Sequence, residues 1–466
     1  MTSITLIALP PRGYGSGTRA PSPALAHIAP MLEKDGIEVV SYDMNIDYYE
    51  EFGDEGYERL QTWGESKGDL EKEVEEPFME WVKKYITKID TEWVGLSIFS
   101  VYSEVIAPPV LKHIRSIFNG KIVAGGYGVV YPYGMKLKED GLIDYFIRGE
   151  GEESLNALLK GEDHPSIDSQ IPHQVLDLDS LPIPDYSSFK YDDEPRDYTI
   201  TASRGCVRQC TFCNVPALFE KFRWKTGEKV AEEYIDIIKN NNVERVLFSD
   251  SLVNGNMKEF RSFIRVMSDW YDKNPRQKVV PWAGQFICRN KNALKEDDFK
   301  YIKKSGCFNL QIGIESGSES VRDHMKKKFS NEDMYYTLGN LADIGIELVL
   351  LMIVGYPTET KEDFEDTLLF LENMNDLYGH KTNIYVNINV MKIFYHTEVN
   401  RMHDLYIWED KKRTEFISTY KEGHDFEERK ERFYEAYELV ELLPNLRQTA
   451  TNPEKYKMLK KHDLVV

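Results

Sequence analysis

The chain has 466 residues, of which 41% are hydrophobic and 29% are charged. This is the composition of a soluble globular protein with roughly two to four domains. Its formal net charge is −20, and an acidic chain repels phosphates, so the composition disfavours nucleic acid as a partner. The sequence contains no apolar run of about 18 residues and no basic N-terminal segment of the signal-peptide type, so we expect a cytoplasmic protein without a membrane span.

The first 165 residues alternate short apolar runs with helical patterns. The predicted strands are residues 4–9, 37–42, 93–99, 121–124 and 144–147, and the predicted helices are residues 22–34, 69–89 and 105–117, with a further helix after Gly151. Such alternation predicts a parallel sheet with right-handed crossovers. We therefore expect a flavodoxin-like, doubly wound α/β domain over residues 1–165, with ligands at the carboxyl ends of its strands. The Pro-rich residues 166–195 are typical of an extended linker.

A second alternating region covers residues 196–390. The predicted strands are residues 198–202, 245–249, 278–286, 309–314, 347–354 and 382–390, and the predicted helices are residues 230–240, 258–270, 297–305, 331–344 and 363–375. Six β/α units in this length predict a partial (β/α)6 barrel of the TIM type, whose chemistry lies at the carboxyl ends of the strands. Residues 391–466 are predicted to form a helical C-terminal region.

Three of the five cysteines fall within eight residues, directly after the first barrel strand. Cys206, Cys210 and Cys213 have the spacing Cys-x3-Cys-x2-Cys. Three thiolates can hold three irons of a [4Fe–4S] cluster and leave the fourth iron open to a small chelating ligand. Gly205 allows close approach of the backbone, and Arg204 and Arg208 favour the thiolate form.

Other readings of the three cysteines fit less well. A structural zinc site usually has four ligands, and no fourth cysteine or histidine lies nearby in the sequence. A disulfide framework would need more cysteines and an oxidising compartment. Cys288 and Cys307 stand alone and are expected to be small core residues.

The cysteine motif and its position after the first barrel strand resemble the radical S-adenosylmethionine (SAM) superfamily, over about residues 195–390. The resemblance implies that the open iron binds the amine and carboxylate of SAM. It also implies that the reduced cluster donates an electron that cleaves SAM to methionine and a 5′-deoxyadenosyl radical. The same resemblance implies five candidate SAM-binding residues. They are Phe212 next to the last cysteine, Ser249 and Asp250 after the second strand, Glu315 in Gly313–Gly317, and Gly355 after the fifth strand.

The N-terminal domain resembles the cobalamin-binding domain that precedes many radical SAM barrels. The segments that carry this resemblance are residues 124–128, residues 144–152 and the Leu-Pro-x-Pro stretch at residues 181–184. It implies a corrin in a crevice lined by Ser100, Tyr102, Gly125, Gly126, Tyr127, Gly149 and Glu150. The Asp-x-His-x-x-Gly motif that supplies a cobalt-ligating histidine in other cobalamin domains is absent from the sequence, so no histidine from that loop is expected on cobalt.

Together the two resemblances imply a cobalamin-dependent radical SAM enzyme, most often a methyltransferase acting at an unactivated centre through the 5′-deoxyadenosyl radical and methylcobalamin. The expected partners are a small-molecule or natural-product substrate and an electron donor such as flavodoxin or ferredoxin. The sequence leaves three alternatives open: a radical SAM enzyme without functional corrin, an enzyme that catalyses cyclisation or rearrangement, and a non-catalytic iron–sulfur redox or metal-binding module.

Overall fold

A computed structural model of the protein describes residues 2–11, 20–66, 71–99, 103–187, 189, 195–393, 397–401, 406–408, 418–420, 426–449 and 453. The chain divides into two compact units. One contains residues 1–200 and 232–246, and the other contains residues 201–231 and 247–466.

The first unit is built on a five-stranded parallel sheet with the order β2-β1-β3-β4-β5. Its strands are β1 (Ser3–Ala8), β2 (Glu38–Asp43), β3 (Trp93–Ser97), β4 (Lys121–Gly125) and β5 (Tyr145–Phe146). The inner strand β1 is buried along its whole length, including the polar Ser3 and Thr5, as expected in a sheet covered on both faces. The strand order is that of flavodoxin-like folds, so the predicted doubly wound domain is confirmed.

Six α-helices accompany this sheet in the described part of the chain. They are α1 (Pro23–Lys34), α2 (Met44–Ser66), α3 (Glu76–Tyr85), α4 (Ser103–Ile117), α5 (Tyr131–Glu139) and α6 (Gly151–Leu159). A π-helical turn, Glu71–Glu75, precedes α3. Helices α2 and α5 were not predicted. Gly53, at φ +62°, interrupts α2 and breaks its periodicity, and α5 begins in a Tyr-Pro-Tyr stretch that has weak helical propensity.

The segment after α6 folds back on the first sheet. Isolated bridges pair Ile147 with Ile167 and Gly149 with His173. The side chain of Asp168 accepts a hydrogen bond from the backbone N–H of Phe146. Apart from the 3-10 turn Leu178–Ser180 and the two isolated bridges, residues 161–187 lack regular secondary structure.

A second sheet has seven strands in the order β16-β13-β12-β11-β10-β9-β6. They are β6 (Arg196–Ile200), β9 (Val243–Phe248), β10 (Trp282–Phe286), β11 (Cys307–Glu315), β12 (Glu347–Val354), β13 (Ile384–Val390) and β16 (Leu446–Gln448). Two short antiparallel pairs stand apart from it, β7 (Ser203–Arg204) with β8 (Arg223–Trp224), and β14 (Tyr406–Trp408) with β15 (Ser418–Tyr420). Along β12, buried residues alternate with less buried ones.

Helices connect these strands in a β/α succession. They are α7 (Val215–Leu218), α8 (Gly227–Asn240), α9 (Met257–Lys273), α10 (Glu296–Lys304), α11 (Glu319–His324), α12 (Asn331–Asp343), α13 (Lys361–Tyr378) and α14 (Phe426–Leu442). The barrel-type sheet predicted for this region is therefore confirmed. In the described residues, no helix is both long and apolar enough to cross a membrane.

The C-terminal region differs from the helical tail that the sequence predicted. Helix α14 is present, but the chain then continues into β16, which pairs in parallel with β13 and becomes the seventh strand of the sheet. The strand is three residues long and partly exposed, so it carries too little apolar pattern to be recognised in the sequence.

Candidate functional site

The three clustered cysteines lie on the loop that follows β6. All three are free thiols of intermediate burial. Gly205, immediately before Cys206, has φ +86°, and a Cβ atom there would lie 2.8 Å from the carbonyl oxygen of Lys221. Only glycine fits this turn without strain, so the loop needs Gly205 to enter the cysteine segment.

Thr211 and Phe212 hold this loop in place between the second and third cysteines. The Thr211 hydroxyl is 2.7 Å from the hydroxyl of Tyr356, and the Thr211 backbone bonds the carbonyl of Met325 and the N–H of Val399. The Phe212 ring packs against an apolar cluster that contains Val321, Met325, Tyr356, Met391, Ile393 and Val399. The candidate SAM-binding residue Phe212 thus has a packing role, and its contact with SAM stays a prediction.

Burial raises the pKa of two of the three thiols. The pKa of Cys210 is raised to about 11 because desolvation penalises the thiolate, and the charge of Lys327 opposes this rise. Desolvation also raises the pKa of Cys213, while a hydrogen bond from the backbone of Val215 lowers it. Because a coordinating thiol is deprotonated outright by a bound cation, these two side chains suit metal ligation better than free thiolate chemistry. The cation near Cys210 is Lys327, which the sequence analysis did not identify.

A buried ion pair accompanies the cysteine loop. The Lys327 Nζ lies 2.9 Å from Glu315 Oε1, and their side chains are only 8% and 11% exposed. Burial alone would lower the pKa of Lys327, but the charges of Glu315 and Cys210 raise it above its usual value. Lys327 therefore stays positively charged, and its charge favours the thiolate form of Cys210.

The backbone of β11 positions Glu315 for this contact. Glu315 ends the strand at φ +69°, where the pairing with β12 shifts register after Gly313. A Cβ atom on Gly313 would lie 2.5 Å from Glu315 Oε1 and 2.9 Å from Lys327 Nζ. Gly313 thus leaves the space that the ion pair occupies. The predicted contact of Glu315 with SAM stays a prediction, since the structure shows its carboxylate bound to Lys327.

Ser249 and Asp250 follow β9 and contact the start of the cysteine loop. The hydroxyls of Ser249 and Thr201 are 2.7 Å apart. Asp250 is buried and accepts hydrogen bonds from the Ala202 N–H at 2.9 Å and from the Ser203 hydroxyl. Burial raises the pKa of Asp250 to about 6, and these hydrogen bonds partly oppose the rise. Both residues support the backbone that leads to Cys206.

Gly355 lies in the turn between β12 and α13. It has φ +77°, and a Cβ atom there would be 2.2 Å from the side chain of Arg429. The Gly355 N–H donates to Glu359 at 2.7 Å, and Glu359 is bound by Arg432 at 2.6 Å. Helix α14 therefore fixes this turn through its two arginines. The predicted contact of Gly355 with the cofactor is not tested by these distances.

In the first unit, the predicted corrin-binding residues lie at the carboxyl end of β4. Gly126 has φ +101°, and a Cβ atom there would lie 2.6 Å from the carbonyl oxygen of Ile98. The N–H of Ile98 in turn donates to Gly125 at 2.8 Å. The side chains of Tyr127, Val130 and Phe99 are 49%, 40% and 48% exposed. This edge thus combines tight backbone turns with exposed apolar groups.

Gly149 and Glu150 follow β5 and hold the segment that returns from α6. A Cβ atom on Gly149 would lie 2.3 Å from the carbonyl oxygen of His173, and the Glu150 carboxylate accepts from the Val175 N–H at 2.8 Å. The structure gives both residues a supporting role in this turn. Ser100 and Tyr102, also predicted at the corrin, lie outside the described residues.

The structure thus groups the predicted residues into two sets. Around the cysteine loop lie the thiols, Phe212, Asp250 and the Glu315–Lys327 pair, and at the edge of the first sheet lie the glycines and Tyr127. Lys327 was missed because a lysine in the run Lys326–Lys328 reads as solvated surface. Lys326 and Lys328 have positive φ angles and form the turn that buries Lys327. Such backbone angles cannot be recognised from a sequence pattern.

Comparisons with known proteins indicate which family and which folds this chain resembles. Residues 200–371 match the radical SAM superfamily. An uncharacterised methyltransferase of Pyrococcus horikoshii is 25% identical over 327 residues, which are 65% of this chain and 68% of that protein. The anaerobic magnesium-protoporphyrin IX monomethyl ester cyclase of Cereibacter sphaeroides is 24% identical over 56% of this chain, which spans 46% of the cyclase.

Two solved structures share the fold over most of the chain. The radical SAM methyltransferase TsrM of Kitasatospora setae, solved with cobalamin and a [4Fe–4S] cluster, has a TM-score of 0.70 and 13% identity and covers 97% of this chain and 91% of its own. The cobalamin-dependent radical SAM enzyme OxsB, solved with aqua-cobalamin and SAM, has a TM-score of 0.63 and 16% identity, over 86% of this chain and 60% of its own.

Proposed function

We propose that this chain, whose residues 200–371 match the radical SAM superfamily, is a cobalamin-dependent radical SAM enzyme that transfers a methyl group to an unactivated centre of a small molecule. The observation that carries the proposal is the set of three free thiols on one glycine-turned loop, beside the buried Glu315–Lys327 pair. When bound, the cluster supplies the electron that cleaves SAM and the corrin supplies a methyl carrier.

The residues present fit a [4Fe–4S] cluster with one open iron. Cys206, Cys210 and Cys213, all free thiols of intermediate burial, are the three ligands. The loop is held from behind by Thr211 and Phe212. Their burial keeps water from one side of the thiols, which suits a low-potential centre.

The same region offers charged and polar groups to SAM. Lys327 binds Oε1 of Glu315, and the second carboxylate oxygen of Glu315 would accept from an amine or a ribose hydroxyl. Ser249 supplies a hydroxyl after the second barrel strand. Gly355 supplies backbone polar groups in the turn after the fifth strand, where Arg429 packs against it. These roles rest on the superfamily resemblance together with the placement of the side chains at strand ends.

The edge of the first sheet fits a flat, largely apolar ring. Gly125 and Gly126 turn the chain without presenting side chains, and Tyr127, Val130 and Phe99 are exposed beside that turn. Apolar groups of this kind stabilise a macrocycle by the surface they remove from water. TsrM and OxsB, which share the fold, were solved with cobalamin, and this supports the same occupant here.

The substrate we propose is a small molecule. TsrM was solved with tryptophan as substrate, and the acidic net charge of this chain disfavours a nucleic-acid substrate. A flavodoxin- or ferredoxin-type protein would supply the electron. Ring formation is the second candidate reaction, because the curated relatives include the monomethyl ester cyclase.

The experiment is cofactor and product analysis of the protein purified without oxygen and loaded with iron, sulfide and hydroxocobalamin. We expect about four iron atoms and one corrin per chain. After addition of reductant and SAM, we expect both 5′-deoxyadenosine, from reductive cleavage, and S-adenosylhomocysteine, from methylation of the corrin.

Three outcomes would change the proposal. Colourless, iron-free protein that contains zinc would contradict the cluster. A cluster-loaded protein with cobalt content near zero would contradict the corrin and leave a radical SAM enzyme without it. Formation of 5′-deoxyadenosine with no S-adenosylhomocysteine would favour the cyclisation candidate over methyl transfer.

A further inference from the structure

Away from the cysteine loop, three metal-binding side chains converge in the first unit. Glu153, His164 and His173 each present one ligand atom, and these three atoms all lie within 4.8 Å of one another. The His173 Nε2 is 2.5 Å from Glu153 Oε2. The rings of His164 and His173 are 4.5 Å apart and nearly perpendicular, at 88°.

From this geometry we infer a second metal site, a Zn²⁺ or similar first-row divalent ion bound by Glu153, His164 and His173. Two imidazoles and one carboxylate are ligands that suit zinc, whereas magnesium and calcium prefer oxygen alone. The proposal does not depend on the cluster, SAM or cobalamin.

The present distances are close to those of a bound ion. Ligand atoms about 2.0–2.1 Å from a tetrahedral zinc lie roughly 3.3 Å from one another. The His173–Glu153 pair is now closer than this, at 2.5 Å, and the full set spans up to 4.8 Å. Small side-chain rotations therefore suffice to open the pair and admit the ion.

A hydrogen-bond chain already orients His164. Its Nδ1 lies 2.9 Å from the Ser166 hydroxyl, which is 2.7 Å from the Ser154 hydroxyl. In the tautomer that donates the Nδ1 proton to the Ser166 hydroxyl, the Nε2 atom of His164 is left to bind the ion. Metal-bound histidines typically use their second ring nitrogen in this way, and such partners strengthen binding by fixing the ring.

The backbone fixes the other two ligands. His173 is held by its N–H to the Arg148 carbonyl at 3.0 Å and by the bridge to Gly149. Glu153 is in the first turn of α6. Because Glu153 and His173 are 45% and 20% exposed, solvent reaches the site, and water would complete the coordination. The ion would link α6 to the segment that follows it.

The test is zinc binding by the full chain with its [4Fe–4S] cluster already in place, so that Cys206, Cys210 and Cys213 do not compete. After equilibrium dialysis against buffered micromolar Zn²⁺, metal analysis is expected to find about one zinc per chain. His173→Gln is expected to lose that ion, and Glu153→Gln to bind it at least tenfold more weakly.

His380→Gln is the matched control, because His380 is an exposed histidine on the other unit and its loss is expected to leave zinc binding unchanged. Zinc is also expected to slow proteolysis at the exposed Leu176 in the wild-type protein and not in His173→Gln. Absence of zinc from the cluster-loaded wild-type protein would overturn the inference, as would equal affinity in the wild type and Glu153→Gln. The second comparison holds even if His173→Gln does not fold, because the Glu153 side chain is 45% exposed and its replacement by glutamine changes neither its size nor its packing.

Discussion

The two regions proposed to hold cofactors differ in the chemistry of their side chains. The loop after β6 carries three thiols and lies beside a buried lysine and buried carboxylates from other elements, whereas the turn after β4 carries glycines and exposed apolar side chains. The first region would bind by metal–ligand bonds and charge, which single residues decide. The second would bind by shape and apolar surface, to which many residues contribute a little. Single substitutions should therefore act much more strongly in the first region.

The largest effect is expected from a cysteine ligand. Cys210→Ala removes one of three iron ligands and should abolish both the cluster absorbance and SAM cleavage, a loss of at least about 100-fold. The matched control is Cys307→Ala, since Cys307 is a buried cysteine outside the motif. Retention of cluster and activity in Cys210→Ala would contradict the ligand assignment.

The buried ion pair should show the next largest effect. Lys327→Met leaves Glu315 as an uncompensated buried carboxylate and should lower the free energy of unfolding by about 3–5 kcal/mol. The double variant Lys327→Met with Glu315→Met should regain much of this. The neighbouring Lys326 forms an exposed pair with Glu398, so Lys326→Met should cost less than about 1 kcal/mol.

Urea unfolding followed by tryptophan fluorescence would compare these variants. Equal losses in Lys327→Met and Lys326→Met would show that burial of the first pair has no energetic consequence.

SAM binding should be weakened in Glu315→Ala while the cluster remains, and unchanged SAM affinity in this variant would show that Glu315 is not part of the cofactor site.

The corrin edge should respond through the backbone rather than through a side chain. Gly126 has a positive φ, and the Cβ atom added in Gly126→Ala would also clash with the Ile98 carbonyl. Gly141 has a positive φ as well, at +71°, but a Cβ atom added there would have no atom within 4 Å. Gly141→Ala should thus cost only the roughly 1–2 kcal/mol of the left-handed conformation. Gly126→Ala should cost more and reduce the corrin content of the loaded protein, measured by its absorbance. Full corrin content in Gly126→Ala would separate this turn from cobalamin binding.

The last expected effect, confined to acidic pH, is the pH dependence contributed by Asp250. Its pKa is about 6 in the folded protein against an ordinary value of 3.8. Between these values the folded state holds a proton that the unfolded state has released, so this contribution to stability is present below pH 3.8 and is lost as the pH rises to about 6. The slope is on the order of 1 kcal/mol per pH unit. Asp250→Asn should flatten the profile by that amount, and equal slopes would contradict the shift.

The sequence predicted those features that are encoded locally. Strand β12 is found at residues 347–354, where its apolar run placed it, and the three cysteines lie within eight residues of one another in the chain. Features that depend on distant partners were not predictable. The burial of Lys327 requires the space left by Gly313, and β16 becomes a strand only by pairing with β13. Helix α2 was missed because Gly53 interrupts its pattern.

The position of β16 in the sequence affects how the protein is made. Its partner β13 ends at residue 390, but β16 begins at residue 446, so a ribosome must add more than fifty residues before that edge is covered. During this interval the nascent chain displays the unpaired N–H and C=O groups of β13, which can pair with strands of other chains. Release of the finished polypeptide removes that hazard, and a protein shortened before residue 446 would retain it for its lifetime.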